Sequence, residues 1–252
     1  MKMSKKGIKM LDLIIEHSGN RTTFHPTLVW DEDNAILIDT GMPGQYGQII
    51  SAIGGAGVPN EKLTSVIITH QDLDHIGSLP RILEESTQST ITVYAHEEDK
   101  PFIEGDLPLI KTDPKRMSEE KWNAIPESLK TLYANPPKAK VNQTLTDGEI
   151  LPCCGGIEVI FTPGHTPGHI SLYLHEYKTL IAGDAMVSRD GKLFGPVRRN
   201  TPDTEIAVES LKKFLKYDIR EVICYHGGRS SKNINQQIEE LVKMGQAAVL
   251  DM

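Results

Sequence analysis

Residues 66–76 read V-I-I-T-H-Q-D-L-D-H-I. A β-branched apolar run from Val66 ends in His70, Asp72, Asp74 and His75, four potential metal ligands within six positions. Val, Ile and Thr favour a strand, and the polar turn that follows marks its end. A strand that delivers so many imidazoles and carboxylates to one edge is organised for cation binding, and the rest of the chain is read outward from it.

Upstream, short β-prone runs at Ile8–Ile15, Thr27–Trp30 and Ala35–Ile38 predict a strand and then a hairpin turning at Asp31-Glu32-Asp33-Asn34. Asp39-Thr40-Gly41 closes the third run, and Gln48–Ala56 follows as a short helix. Downstream, Leu79, Ile82 and Leu83 share one helical face, and Ile91–Ala95 returns to strand. The second half repeats this pattern. Ile157–Phe161, Ile170–Leu174, Thr179–Ile181 and Val222–Tyr225 are strands, whereas Glu205–Lys216 and Asn233–Val249 are helices. Two such halves predict an α+β fold in which two packed sheets are covered by helices on their outer faces, a four-layer αβ/βα sandwich.

Between the halves, residues 97–140 hold prolines at 101, 108, 114, 126, 136 and 137 and only short helical stretches, at Ser118–Ala124 and Glu127–Tyr133. This is the composition of an irregular insertion, here expected near a pocket within a single domain spanning residues 1–252. The chain has 252 residues, enough for a full-sized core, and a net charge of -7 with no Lys/Arg-rich block, which excludes a nucleic-acid footprint. Cys153, Cys154 and Cys224 are an odd set with no zinc-ribbon spacing. The opening residues lack an apolar signal core, and no run approaches membrane-spanning length, so a cytoplasmic protein without membrane partners is expected.

Three further positions share the context of the first cluster. His165 in T-P-G-H-T-P-G-H, Asp184 in I-A-G-D-A and His226 in V-I-C-Y-H-G-G each follow a β-prone run and sit beside glycine, which permits sharp turns and close approach. Together with Ile38-Asp39-Thr40-Gly41, these motifs resemble those of the metallo-β-lactamase superfamily, whose first motif is usually H-x-H-x-D-H followed by a later His, Asp and His. The resemblance spans nearly the whole chain and implies an αββα sandwich with two divalent metal ions at one edge.

Carried over by position, the resemblance puts His70, Asp72 and His165 on one metal, Asp74, His75 and His226 on the other, and Asp184 between them. Asp39 would support a ligand through a hydrogen bond, and His169 would bind the loop without touching metal. The implied activity is hydrolysis of a small ester, lactone or thioester by a metal-bridging hydroxide, with Asp74 and Asp184 as catalytic positions. Zinc is the first expectation for the cofactor. Asp72 replaces the second histidine of the family motif and makes the site harder, so iron or manganese is also accommodated. Flavodiiron proteins carry a Glu at that place, which keeps a non-hydrolytic di-iron redox or ligand-binding protein as the alternative, although 252 residues leave no room for their flavin domain.

Within the hydrolases, Val187 stands where homoserine lactonases carry a tyrosine, and the region after His226 has no obvious counterpart of the glutathione-binding part of glyoxalase II. The partner is a small molecule. No residue is assigned to it, although Arg189, Arg198 and Arg199 offer guanidinium groups that either hold an anionic substrate or form a solvated basic loop.

Overall fold

The computed structural model describes residues 5–17, 19–86 and 91–251, so residues 1–4 of the opening stretch lie outside it. The first half supplies strands β1 (Gly7–Met10), β2 (Leu13–His17), β3 (Asn20–Phe24), β4 (Thr27–Trp30), β5 (Ala35–Ile38), β6 (Leu63–Ile67), β7 (Thr92–His96) and β8 (Gln143–Leu145). The second supplies β9 (Ile150–Leu151), β10 (Ile157–Phe161), β11 (Ile170–Leu174), β12 (Thr179–Gly183), β13 (Val187–Arg189), β14 (Lys192–Phe194), β15 (Glu221–Cys224) and β16 (Gly228–Ser230). One six-stranded sheet has the order β1-β4-β5-β6-β7-β8, the other β16-β15-β12-β11-β10-β9.

The first sheet changes from antiparallel to parallel at β5/β6. Parallel neighbours need a crossover. Helix α1 (Tyr46–Gly55) makes the first, and α2 (Leu73–Ile76) with α3 (Leu79–Glu85) makes the second. In the other sheet β12 and β15 are parallel, joined through the β13–β14 hairpin, α7 (Thr204–Ser210) and a 3-10 turn at Leu211–Lys216.

Alternation along the strands builds three apolar layers. Leu37 and Val66 face outward onto Ile49 and Ile53 of α1 and Leu79 and Ile82 of α3. Their neighbours Ile36, Ile38 and Ile67 face inward onto Val159, Leu172, Ile181 and Ile223 of the other sheet. On that sheet's outer face Leu180 and Val222 meet Leu211, Phe214, Ile238 and Leu241, the last two from α8 (Ile234–Met244). This is the expected αβ/βα sandwich. Each buried Leu or Ile contributes roughly 1.5–3 kcal/mol relative to exposure. Because side chains alternate with period two, a one-residue slip of β6 would exchange Val66 and Ile67 between layers and displace the ligand loop that follows.

Several boundaries differ from those read in the sequence. The Ile8–Ile15 run divides at Leu11-Asp12, because Leu11 donates its N–H to Pro26 and β2 leaves to pair with β3 in a separate hairpin. The polar β3, N-R-T-T-F, and the two- or three-residue strands β8, β9, β13, β14 and β16 carry too little periodic signal to be anticipated. The Asn233–Val249 helix stops at Met244, where Gly245 turns at φ 55°, and continues only as a 3-10 turn. Residues 97–140 contain α4 (Lys100–Ile103), α5 (Glu119–Ala124) and α6 (Glu127–Ala134), and Ser118 caps α5 by accepting from Lys121 N–H at 3.2 Å.

Candidate metal centre

All seven candidate ligands leave strand ends at one edge of the two sheets. The β6 chain passes through Thr69 and His70 into α2, whose first turn carries Asp74 and His75. Asp72 occupies the N-cap of that helix but accepts no capping hydrogen bond. An Asp there ordinarily accepts a backbone N–H of the first turn. Instead its Oδ2 lies 3.2 Å from His70 Nε2 and 3.1 Å from His165 Nε2. Asp184 follows directly on β12, and His226 follows β15. The residue after His226 is Gly227, at φ 88°, where a Cβ would lie 1.7 Å from Ser188 O, so only glycine allows that turn.

The ligand atoms fall into two groups, His70, Asp72, His165 and Asp184 on one side and Asp74, His75 and His226 on the other, each within 4.8 Å internally. Asp184 faces both. Its Oδ2 is 3.2 Å from His165 Nε2 and 3.4 Å from His226 Nε2, while its Oδ1 is 3.5 Å from His75 Nε2. Asp74 Oδ2 lies 3.3 Å from His226 Nε2. Donors in a tetrahedral shell with bonds of about 2.1 Å stand roughly 3.4 Å apart, so these separations suit a common cation.

Three atoms supply an independent test. His70 Nε2, His75 Nε2 and Asp184 Oδ1 are buried without a hydrogen-bond partner. Each such atom costs about 1–3 kcal/mol. All three point into the cluster, and a cation there would satisfy them.

The carboxylates also fit, while in the metal-free protein the acids around His75 and His226 overcome burial and raise both imidazoles. Burial pushes the Asp184 carboxyl up, but His226, His75 and His165 outweigh it and hold the group well below the usual carboxylate range. Asp72 is held well below that range too, burial being outweighed by Lys111 and His70. Asp74 is lowered against its burial by His75 and His226. Carboxylates held ionised are in their ligand form. Burial, with His75 beside it, drives His70 well below the usual imidazole value. His226 is pushed up to about 10, because Asp184 and Asp74 overcome its burial.

Supporting residues fix the rings. The buried Asp39 accepts from Thr69 N–H at 2.8 Å with Oδ1, and from the Thr69 hydroxyl at 2.8 Å and His75 Nδ1–H at 2.9 Å with Oδ2. With Nδ1 so engaged, Nε2 is the His75 nitrogen turned to the cluster, and it is the one that would take a cation. His169 accepts the Asp184 backbone N–H at 2.9 Å and contacts Thr162 Oγ1 at 2.8 Å, so it holds the Asp184 loop.

Three contributors carry no signal in the sequence. Asp99, fully buried, accepts from Gln71 N–H at 2.9 Å, Thr166 Oγ1–H at 2.7 Å and Gly168 N–H at 2.8 Å, tying the two ligand loops together. Tyr225 lies against His75 with ring centroids 3.8 Å apart and the rings tilted by 32°, and its hydroxyl donates to Asp74 O. Lys111 reaches in from the 97–140 segment, contacting Asp72 and standing 2.6 Å from His165 Nε2. A cleft of about 270 Å³ opens above the cluster, walled by Phe24, Met42, Leu109, Lys111, Tyr133 and Asn200.

The other histidines lie apart. His25 bonds Asp12 at 2.9 Å, His96 stacks on Phe161 at 4.2 Å, and His175 pairs with Glu158 at 2.9 Å. The His17 side chain is outside the described residues. Cys224 is fully buried, and burial pushes its thiol up, as for an apolar strand residue.

With this geometry in place, the chain matches the family described as the Metallo-beta-lactamase superfamily over residues 25–226. It is 31% identical over 225 residues to the probable metallo-hydrolase YflN of Bacillus subtilis (strain 168), covering 82% of this chain and 80% of that protein. It is 27% identical to the hydroxyacylglutathione hydrolase GloC of Haemophilus influenzae, over 84% of this chain and 88% of that protein. Among solved structures, a metallo-beta-lactamase family protein from Thermus thermophilus superposes with a TM-score of 0.71 at 22% identity, covering 96% of this chain and 80% of that one.

Proposed function

The chain belongs to the metallo-beta-lactamase superfamily, and we propose that it is a metal-dependent hydrolase of a small ester, lactone or thioester. The observation that carries this reading is the meeting of two ligand groups at Asp184 with three buried, unpartnered polar atoms aimed between them. His70, Asp72 and His165 would hold one divalent cation, Asp74, His75 and His226 the second, and Asp184 both. Such a pair polarises a carbonyl, lowers the pKa of water and stabilises the leaving oxygen.

The chain's own residues supply the rest. Asp39, Thr69 and Tyr225 keep the His75 ring in register, His169 and Asp99 hold the loops, and Asp74 and Asp184, which line the cleft, would orient the attacking water. Residues 97–140, inserted in one domain of residues 1–252, wall the cleft through Leu109, Lys111, Thr112 and Tyr133. The naming of relatives as metallo-hydrolases supports the reaction type. Zinc is the proposed native metal. Among the described residues no helix is long and apolar enough to cross a membrane, and Cys153, Cys154 and Cys224 are free, which supports a reducing, cytoplasmic setting for a small-molecule substrate.

The test combines metal quantification by mass spectrometry with a panel of esters, lactones and thioesters. The expected outcome is two metals per chain and hydrolysis, both lost in Asp184→Asn. Metal-loaded protein whose hydrolysis is unchanged by Asp184→Asn overturns the mechanism. Asp72 favours one second reading, a non-hydrolytic di-iron protein. Iron-loaded protein that reacts with peroxide and hydrolyses nothing on the panel would establish it.

A further inference from the structure

A larger cavity of about 700 Å³ lies within the 97–140 segment, and Lys111 and Tyr133 line both it and the metal-centre cleft. Its remaining wall combines apolar side chains, including Met117 and Ile125, with Arg116 and Lys121, and no carboxylate lines it. In a chain of net charge -7, this wall presents three cations, two of them paired with acids that lie just outside it. Lys111 is already engaged by Asp72. Arg116 is only loosely paired, its Nε 3.6 Å from Asp113 Oδ2, and Lys121 has no ion pair among the described residues.

We infer that this cavity is the tail subsite of the hydrolase. It takes a substrate whose reacting carbonyl lies at the metal centre and whose short carbon chain runs past Tyr133 to a terminal oxyanion, a carboxylate or phosphate monoester, held by Arg116 and Lys121. This rests on the hydrolase reading above. The apolar wall accommodates the chain, the guanidinium offers a fork matched to two oxyanion oxygens, and the ammonium adds a second charge. The arginines noted in the sequence do not compete for this role. Arg198 bonds Asp251 at 2.7 Å, Arg189 lies over the Phe194 ring, and neither these nor Arg199 line either cavity.

Arg116 and Lys121 are solvent-exposed, so each adds only a modest, salt-screened attraction, and together they supply a preference of roughly 2- to 30-fold. The experiment compares metal-replete wild type with the double variant R116Q/K121Q on thioesters of matched chain length ending in methyl, carboxylate or phosphate. Wild type is expected to favour at least one oxyanion-ended substrate within that range in kcat/KM, mainly through KM. Added salt should shrink that preference, and the double variant should bring it close to one. A wild type indifferent to the terminal charge, or a preference that survives in the double variant, overturns the subsite while leaving the hydrolase reading intact. If these thioesters and the ester and lactone panel are all inert, the hydrolase reading fails instead, and the cavity is tested by calorimetric binding of glutarate against neutral glutaramide. Glutarate binding that weakens in the double variant supports the oxyanion site; equal binding by both proteins refutes it.

Discussion

Replacing Asp39 with Asn separates its charge from its shape. The residue sits at φ 64°, a left-handed conformation that Asn tolerates better than Ala, so the substitution adds little backbone strain. The amide oxygen can still accept Thr69 N–H in place of Oδ1. The amide NH2, however, falls where Oδ2 now receives the Thr69 hydroxyl and His75 Nδ1–H, so donors would face donors. The His75 ring escapes that conflict by moving its proton to Nε2, the atom aimed at Asp74 and Asp184. An imidazole protonated there cannot bind a cation. Loss of such an orienting partner typically costs 10–100-fold in metal affinity, or about 1.4–2.7 kcal/mol. Loss of a buried, charge-assisted hydrogen bond separately costs about 1.5–3 kcal/mol of stability in the metal-free protein. Competition against a chromogenic chelator reads the first effect, and denaturant unfolding of the chelated protein reads the second. The deficit should fall on the Asp74–His75–His226 group, so that one metal per chain is stripped while the other stays. A folded Asp39→Asn protein that holds both metals with wild-type affinity would refute the argument.

Two further outcomes are expected. Asp72→His, measured with protein loaded from an equimolar mixture of zinc and manganese, should raise the bound zinc-to-manganese ratio, because imidazole replaces a hard carboxylate; an unchanged ratio would sink the argument from ligand hardness. At the opposite end of the sheets, Asp31 accepts from Asp33 N–H at 2.9 Å, Asn34 N–H at 2.7 Å and Cys154 N–H at 2.7 Å, and these bonds outweigh the upward push of burial and lower its pKa. Its contribution to stability is therefore present above the unfolded value of about 3.9 and lost as pH falls through the depressed folded value. The gap in thermal midpoint between wild type and Asp31→Ala should hold from about pH 5 to 8 and narrow in acid, whereas a gap that widens in acid contradicts the assignment.

The positions of the candidate ligands were legible in the sequence because each follows a β-prone run and sits beside a glycine or an aspartate, while their grouping around two cations came from the family resemblance. His70, Asp184 and His226 could be placed at strand ends from β-prone runs and flanking residues alone. The four layers were legible for a related reason, since residues such as Leu37 and Ile36 are apolar on both faces of a strand and so demand cover on both sides. What could not be read depends on contacts between segments far apart in the chain. Asp99 is an ordinary acidic residue in H-E-E-D until folding brings Gln71, Thr166 and Gly168 around it. Lys111 sits in a proline-rich segment without periodicity, and its placement beside Asp72 follows only from the path of that segment. The break at Leu11-Asp12 likewise depends on Pro26, which supplies the acceptor that draws the chain out of β1.

Asp72 and Lys111 acquire their meaning together. On the two-cation reading, three carboxylates against two divalent cations leave one positive charge at the centre, where a histidine in place of Asp72 would leave two. Taken alone, Asp72 would therefore weaken the pull on a water molecule at the site and raise its pKa. Lys111, in contact with the same carboxylate, returns one positive charge within a few ångströms and in a partly buried position, where screening by solvent is reduced. The pair thus exchanges a soft neutral ligand for a hard anionic one while leaving the local charge nearly the same. Ligand hardness and local charge, which move together when one residue is considered, are separated here by a lysine 39 positions away. On the two-cation reading, the departure at Asp72 would alter which cation is preferred more than how strongly that cation acts on water.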